Sequence, residues 1–331
     1  MQCDRCEAEA VIHTAYSGAH LCEQHFIQSV ERRVKSRIRE DNMVDQRATP
    51  ENQQHWLIGL SGGKDSVVLT KILHETFAED PRIKLIALTI HEGIEGYRDK
   101  SVSACEELTE DIDIEHVLVS YNDEYGVKMD EVAADDPENM APCAYCGVLR
   151  RDVLTRYADE LDADLLLTGH NLDDEAETAL MNIFEGDVNQ IAKHFSASLG
   201  AVGERPRDDL FIPRVKPLRD IPEQEVALYA HLQGLPAHIT ECPHAEESFR
   251  AEVQELLYQL EEDHPGTRHS IMAGYEKLAQ LAAKEEISDN SEESTTECRR
   301  CGNPTEREVC RTCSLLDAIN GNRKTVVESD Q

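Results

Sequence analysis

The sequence predicts an α/β fold, a doubly wound parallel sheet flanked by N- and C-terminal zinc modules. Three observations predict it. Short apolar runs alternate with segments of helical periodicity from residue 55 onward, a glycine-rich loop follows the first apolar run, and paired cysteines stand near both ends of the chain. Such alternation implies right-handed crossovers, and a sheet of this kind binds its ligand at the carboxyl ends of its strands.

The net charge of the chain bears on what it can bind. The 331 residues include 33 Lys and Arg against 66 Asp and Glu, a formal charge of −33. This balance argues against nucleic acid, because nucleic-acid-binding domains are usually basic. Lys is scarce, however, as in proteins of salt-loving microbes, and in molar salt the Debye length of about 3 Å screens acidic self-repulsion. We interpret the charge as a property of a saline cytosol, with an acidic surface for a cationic partner as the alternative.

The compartment follows from what the sequence lacks. There is no run of about 18 apolar residues, and the opening MQCDRCEAEA has neither a basic nor an apolar signal region. These features predict a cytoplasmic protein without membrane contact. Eleven cysteines in a reducing compartment indicate metal or sulfur chemistry before disulfides.

Each end of the chain carries four potential metal ligands on two short knuckles. The N-terminal set reads C-x2-C and C-x2-H: Cys3, Cys6, Cys22 and His25. The C-terminal set reads C-x2-C-x8-C-x2-C: Cys298, Cys301, Cys310 and Cys313. Four such ligands complete a tetrahedral Zn²⁺ site, so we expect two structural zinc ions; a rubredoxin-like iron site has similar spacing. Gly302 follows a ligand where a knuckle can use a positive φ.

A basic helix is predicted after the first zinc module. Apolar residues recur every fourth position from Phe26 to Ile38, and the other face carries Arg32, Arg33, Lys35, Arg37 and Arg39. These cations either pair with neighbouring carboxylates or contact a nucleic-acid backbone. The predicted parts of the chain are a zinc finger (1–27), a basic linker helix (28–54), a nucleotide-binding catalytic domain (55–220), a helical extension (221–285), an acidic linker (286–297) and a zinc ribbon with a tail (298–331).

Four strands of the central sheet are predicted by the apolar runs HWLIGL, KLIALTI, IEHVLVS and ADLLLTGH. The first ends in SGGKDS, between a strand and a helix, where backbone N–H groups can hold an anion. SGGKDS is the signature of the PP-loop ATP pyrophosphatases, which activate a carbonyl oxygen by adenylylation. The hydroxyls offer hydrogen bonds to phosphate, the glycines let the backbone approach the phosphate closely, and the lysine neutralises the phosphate charge. The loop consists of Ser61, Gly62, Gly63, Lys64, Asp65 and Ser66.

Further nucleotide contacts are expected at the ends of the other strands. Backbone near Ile90, at the end of the second strand, would face the adenine, and Gly169 ends the fourth strand in the same crevice. Asp174 follows at a helix start, beside Asp173, where a carboxylate can hold Mg²⁺; a plain helix-start pair is the alternative.

Three cysteines remain in the centre of the chain. Cys143 and Cys146 lie in PCAYCGVLRRDVL, just before a predicted helix, and Cys242 lies in ECPH. Three thiolates can hold a 4Fe-4S cluster and leave one iron open to a sulfur ligand. They can also act as bare thiolates through persulfide and disulfide intermediates. A third zinc site with His244 is the remaining alternative.

Together these motifs resemble the tRNA 2-thiolation enzymes related to the two-thiocytidine synthetase, in particular the archaeal and eukaryotic-type branch that thiolates uridine. The resemblance covers nearly the whole chain through both terminal ligand sets, SGGKDS, PCAYCGVLRR, TGHNLDDEAET, PRVKPLRDIPE and ECP. It implies that Cys143, Cys146 and Cys242 hold the cluster and take part in catalysis. It also implies ATP at the loop, with Asp174 on Mg²⁺ and Arg150, where relatives often have Lys, touching ATP or the activated intermediate.

The resemblance further implies a reaction and its partners. ATP adenylylates the C2 oxygen of a tRNA uridine, sulfur replaces that oxygen, and the donor is a ubiquitin-like sulfur carrier protein with its activating enzyme. We expect a homodimer from a halophilic archaeon that modifies the wobble uridine and needs high salt to bind tRNA. The alternatives are thiolation of a T-loop uridine or of cytidine, a lysidine-type ligase that leaves the central cysteines idle, and a zinc-ribbon RNA-binding scaffold. Basic residues expected to hold tRNA are Arg150, Arg151, Arg205, Arg207, Arg214, Lys216 and Arg219.

Overall fold

A five-stranded parallel sheet forms the centre of the computed structural model, which describes residues 1–192, 212–244, 249–289, 296–305 and 307–329. The strand order is β5-β4-β3-β6-β7, with every pair parallel. The strands are β3 (Gln54–Gly59), β4 (Ile83–His91), β5 (Glu115–Ser120), β6 (Leu165–Thr168) and β7 (Arg214–Val215). The predicted doubly wound α/β fold is confirmed.

Helices connect the strands and extend the domain. Those within the sheet region are α1 (Glu23–Glu40), α2 (Lys64–Phe77), α3 (Arg98–Asp111), α4 (Tyr121–Tyr125), α5 (Met129–Asp135), α6 (Pro142–Glu160), α7 (Leu172–Glu185) and α8 (Glu223–Leu232). Those that follow are α9 (Phe249–Asp263), α10 (Thr267–Asp289) and α11 (Arg311–Ser329). No helix of the described residues is long and apolar enough to cross a membrane.

The two faces of the sheet are covered by different helices, as strand periodicity requires. Trp56 and Ile58 of β3 are fully buried in a cluster with side chains of α1, α2 and α8, whereas Leu57 is buried on the other face with side chains of α6. Because successive residues of a strand point to opposite faces, one short apolar run supplies both cores. The loops at the carboxyl ends of β3, β4 and β6 are thereby fixed at one edge of the sheet.

Small hairpins begin the two terminal modules. In the first, β1 (Ile12–Thr14) pairs with β2 (Ala19–Leu21), which leads through Cys22 into α1. In the second, β8 (Thr296–Glu297) pairs with β9 (Pro304–Thr305) ahead of α11. Gly302 has a φ of +80°, as its position in the knuckle predicts.

Two helix boundaries and one strand differ from the sequence predictions. Helix α6 begins at Pro142, so Cys143 and Cys146 lie within its first two turns and not ahead of it. Helix α10 continues to Asp289, into the segment predicted as the acidic linker, because the acidic and alanine-rich sequence is compatible with helix. A fifth strand, β7, was not predicted, since its two residues are too short to show a period and depend on pairing with β6.

Candidate active site and metal centres

The SGGKDS loop links the end of β3 to the N-terminus of α2. Gly63 is the N-cap residue of α2, and its extended conformation turns the chain into the helix. The hydroxyls of Ser61 and Ser66 lie 3.0 Å apart, and the Ser66 hydroxyl accepts a hydrogen bond from the Ser61 N–H at 3.1 Å. Two hydroxyls and the free N–H groups of a helix start therefore converge on one position, which suits a phosphate group.

Gly62 is required by the shape of this loop. Its φ is +81°, and a Cβ atom there would lie 2.3 Å from the carbonyl oxygen of Ser101 on α3. We therefore expect Gly62→Ala to destabilise the protein by about 1–3 kcal/mol, through backbone strain and the clash with α3. Thermal unfolding of the purified variant measures the loss.

Gly63→Ala is the matched control for this substitution. Gly63 has a φ of −76°, and its Cβ would meet only the Ser61 hydroxyl at 3.5 Å. We expect it to unfold close to the wild-type temperature. Equal melting temperatures for the two variants would contradict the steric role of Gly62.

The end of β6 closes the crevice against this loop. A Cβ on Gly169 would lie 2.8 Å from the backbone nitrogen of Ser66, so only glycine permits this approach. The Asn171 side chain donates to Asp65 Oδ1 at 2.9 Å, which ties the start of α7 to the loop. A cavity of about 360 Å³ opens here, and the predicted residues that line it are Ser61, Asp65, Ser66, Ile90, Arg150, Gly169 and Asp174.

Lys64 does not line this cavity. Its ammonium contacts Asp65 at 3.0 Å and Glu223 at 2.7 Å, on the far side of the loop. Two carboxylates therefore hold the lysine side chain in this arrangement, and its contact with phosphate stays a prediction. Glu223 belongs to α8, so nothing local in the sequence signals the pairing.

Asp65 and Asp174 are the two carboxylates of the cavity that lie beside the loop, and Glu92 is the third carboxylate that lines it. Burial raises the pKa of each, and the charge of Asp174 contributes to the rise in the pKa of Asp65. Asp174 also accepts the Asn171 N–H at 3.0 Å in a capping box. Two half-buried carboxylates beside a phosphate cradle form a suitable binding position for Mg²⁺, whose charge would offset their repulsion. The neighbouring Asp173 faces away and accepts the Glu223 N–H at 2.9 Å.

The central cysteines meet at the same end of the sheet. Cys143 and Cys146 lie in the first turns of α6, and the Cys143 thiol donates to the carbonyl oxygen of His244, two residues beyond Cys242. Burial raises the pKa of both Cys146 and Cys242, and the charge of Cys143 raises each further, so the three sulfurs share one local field. The His244 ring contacts Asp130 at 2.7 Å through Nε2, and the group of His244 that faces Cys143 is its backbone carbonyl.

A chain of polar contacts joins these cysteines to the ATP loop. Arg150 donates to Cys146 Sγ at 3.3 Å and pairs with Glu92 at 3.0 Å. Glu92, buried at the end of β4, also pairs with Arg98, which donates to the Ser61 carbonyl oxygen at 2.6 Å. Sequence analysis missed Glu92 and Arg98; the signal was a carboxylate directly after a buried strand that ends at the predicted crevice.

The terminal ligand sets are assembled as predicted. In each, the four ligand atoms lie within 4.8 Å of one another, close enough to hold a metal ion: Cys3, Cys6, Cys22 and His25, and Cys298, Cys301, Cys310 and Cys313. The pKa of Cys298 is lowered to about 6, chiefly because the Cys310 N–H donates to its sulfur. A lowered pKa favours the thiolate, which is the form that binds metal.

The basic face of α1 is largely neutralised within the protein. Arg33 pairs with Glu225, and Arg37 contacts Asp220 at 2.6 Å. Of the two interpretations, pairing with carboxylates therefore describes these residues, while Arg32 and Arg39 are exposed. Arg205 and Arg207, expected to contact tRNA, lie outside the described residues.

Comparison with known proteins gives the family. The PP-loop domain profile matches residues 29–253, and a profile for the N-terminal LIM domain of the 2-thiouridine synthetase TtuA matches residues 2–27. The tRNA 2-thiolation protein NcsA of Haloferax volcanii is 66% identical over 319 residues, 96% of this chain and 99% of that protein. The chain belongs to the PP-loop tRNA 2-thiolation family.

Other members of the PP-loop tRNA 2-thiolation family match along their length. Cytoplasmic tRNA 2-thiolation protein 1 of Aspergillus niger is 34% identical, with 99% of this chain and 92% of that protein covered. The structure of the U34-tRNA thiolase NcsA from Methanococcus maripaludis with its 4Fe-4S cluster has a TM-score of 0.78 and 36% identity, and 95% of each chain is covered. The family predicted from the sequence is thus confirmed, together with its PP-loop ATP-binding fold and its tRNA sulfurtransferase activity.

Proposed function

We propose that this chain uses ATP to convert the wobble uridine of tRNA to 2-thiouridine, with Cys143, Cys146 and Cys242 as the sulfur-handling residues. The observation that carries the proposal is the continuous contact from the Ser61 carbonyl through Arg98, Glu92 and Arg150 to the Cys146 sulfur. An ATP loop that is linked by direct contacts to a set of thiols is what activation followed by sulfur transfer requires. The relative from Methanococcus maripaludis is a U34-tRNA thiolase, which favours the wobble position.

The first step needs ATP and Mg²⁺ held against the uracil. The hydroxyls of Ser61 and Ser66 and the N–H groups at the start of α2 bind the polyphosphate, and Asp65 and Asp174 bind Mg²⁺. Backbone near Ile90 faces the adenine. The C2 oxygen of uridine attacks the α-phosphorus, pyrophosphate leaves, and the oxygen becomes part of an AMP leaving group.

The second step replaces the activated oxygen with sulfur, and AMP departs with that oxygen. The three thiols fit a 4Fe-4S cluster, because α6 and the segment at Cys242 bring them together and their sulfurs are not gathered within the 4.8 Å spacing of the single-ion sets. Cys143, Cys146 and Cys242 would hold such a cluster, which would supply an iron site for a sulfur ligand. Arg150 holds its positive charge beside Cys146, where it stabilises the thiolate form.

The partners and compartment belong to the same proposal. Sulfur comes from a ubiquitin-like carrier protein loaded by its activating enzyme, and the chain acts in the cytoplasm as a homodimer. The compartment is supported by the family, whose eukaryotic members are named cytoplasmic tRNA 2-thiolation proteins.

Reconstitution tests the function. The protein, purified without oxygen, is incubated with ATP, Mg²⁺, sulfide and a tRNA transcript, and nucleosides, AMP and pyrophosphate are quantified. We expect 2-thiouridine to form with equal amounts of AMP and pyrophosphate. A transcript with cytidine at the wobble position should remain unmodified, whereas one that lacks the T-loop uridine should react normally. Modification with the opposite pattern would overturn the wobble assignment.

We further propose that each terminal set binds one structural Zn²⁺. Cys301→Ser is expected to reduce the zinc content from about two ions to about one per chain and to unfold the C-terminal module, because three ligands no longer close the tetrahedron. Elemental analysis and limited proteolysis measure both effects. The control is Ser314→Ala, an exposed change beside Cys313. A Cys301→Ser protein that keeps the ordered module without the metal would refute the structural role.

A further inference from the structure

Several cations around the active-site crevice are neutralised by a carboxylate of the protein. Arg98 and Arg150 share Glu92, and Lys216 contacts Glu175 at 2.5 Å. Such pairing is expected in a chain with twice as many acidic as basic residues. A cation that stays unpaired in this setting therefore needs a separate explanation.

Arg151 and Arg214 are two such cations. Both line the cavity of about 360 Å³, and neither contacts a carboxylate anywhere in the described part of the chain. Burial lowers the pKa of Arg214, and the charge of Arg151 lowers it further, so the two guanidinium groups repel each other. An uncompensated pair of like charges in a crevice is stabilised when an anion binds between them.

The position of the pair defines the place of this anion. Arg214 lies on the edge strand β7 opposite Leu166 of β6, two residues before Thr168 at the end of that strand. The Arg151 guanidinium lies over the first turns of α6, since a Cβ on Gly147 would be 3.5 Å from its Nη1 atom. Gly147 directly follows Cys146. The anion would therefore lie between the end of the sheet and the cysteines.

The phosphates of ATP have a different binding place. They are received by Ser61, Ser66 and the start of α2, at the end of β3, and the adenine faces Ile90 on β4. Strand β7 lies on the opposite side of β3, beyond β6. Arg151 is exposed, so a macromolecule in solution can reach it. Paired guanidinium groups bind a phosphate through two parallel hydrogen bonds each, which suits a polynucleotide backbone.

We propose that Arg151 and Arg214 together bind one backbone phosphate of the tRNA next to the target nucleotide, and so hold the target base between the ATP loop and the central cysteines. This rests on the proposed function, whose substrate it locates. The pair forms a local positive site on an acidic protein. Because the acidic surface around it repels phosphates, the tRNA backbone is expected to bind selectively at this pair.

The test measures tRNA and ATP binding separately, on the full-length protein, over the salt range in which it stays folded. The variants are Arg151→Gln, Arg214→Gln and Arg214→Lys, the last keeping the charge in case the glutamine variant unfolds. Each glutamine variant is expected to weaken tRNA binding about tenfold and to lower the slope of log affinity against log salt by about one, with ATP affinity unchanged. Arg214→Lys should retain the salt slope but lose affinity.

Arg156→Gln is the matched control. Arg156 lies on the same helix but contacts Glu124 at 2.7 Å and Asp152 at 3.2 Å. Its loss should lower the melting temperature and leave tRNA affinity and the salt slope unchanged. Wild-type tRNA binding by both glutamine variants would overturn the inference, as would a loss confined to ATP binding, which would assign the pair to the nucleotide. Either result leaves the proposed function intact if the wild-type protein thiolates tRNA.

Discussion

Cys143→Ala is expected to abolish tRNA thiolation and to remove iron and sulfide together. Protein purified without oxygen should contain about four iron and four sulfide per chain, and the variant close to none, because two thiolates do not retain a cluster that needs three. Metal analysis, visible absorbance and nucleoside analysis of the product measure the three effects on the same sample. Adenylylation, followed as release of pyrophosphate in the presence of tRNA, should survive, since Cys143 does not line the ATP cavity.

Cys105→Ala is the matched control for this result. Cys105 is fully buried on α3, where its thiol donates to the Leu60 carbonyl oxygen at 3.6 Å. We expect this variant to keep iron, sulfide and thiolation, with only a lower melting temperature from the small cavity. Zinc without iron in the wild-type protein would contradict the cluster. Full thiolation by Cys143→Ala would contradict the role of the cysteine itself.

Asp174→Asn is expected to slow pyrophosphate release about 10²- to 10³-fold. The amide keeps an oxygen that can accept the Asn171 N–H, so the helix cap is retained while the charge that binds Mg²⁺ is lost. Turnover at saturating ATP and tRNA over a range of Mg²⁺ concentrations measures the effect. Partial rescue at high Mg²⁺ is expected, because a weakened metal site fills at higher concentration.

Asp173→Asn controls for helix position and charge. Asp173 is the preceding residue, but its carboxylate pairs with Arg268 at 3.0 Å and accepts the Glu223 N–H, outside the ATP cavity. Loss of this carboxylate should reduce the stability of the protein. The rate of adenylylation should stay within about twofold of the wild-type rate, because these contacts are remote from the reacting atoms. Equal rate losses in both variants, or none in Asp174→Asn, would show that the metal site lies elsewhere.

The parts of the fold that the sequence predicts are those fixed by local patterns. The strand at Trp56 is predicted by a period of two residues, and the helix from Phe26 to Ile38 by a spacing of about four. Both periods can be recognised in the sequence without knowledge of the tertiary structure. The terminal ligand sets follow from ligand chemistry at short spacing. The start of α6 was predicted too late, although Pro142 is a recognised residue at the first turn of a helix.

The contacts missed by sequence analysis join distant parts of the chain. Lys64 meets Glu223 across 159 positions, and Arg150 meets Glu92 across 58. No local pattern encodes such pairs, because the sheet brings them together only once it has formed. The net charge of the chain was misleading for the same reason. The total of −33 argued against nucleic acid, but a total does not show where the charges lie. The structure shows which cations remain unpaired at the site.

The most direct test of the central claim is mass spectrometry of nucleosides from tRNA of a strain that lacks this gene. We expect 2-thiouridine to disappear in this strain, the wild-type gene to restore it, and genes encoding Cys143→Ala or Asp174→Asn to leave it absent. The Cys105→Ala gene should restore it fully. An unchanged level of 2-thiouridine in the deletion strain would contradict the account.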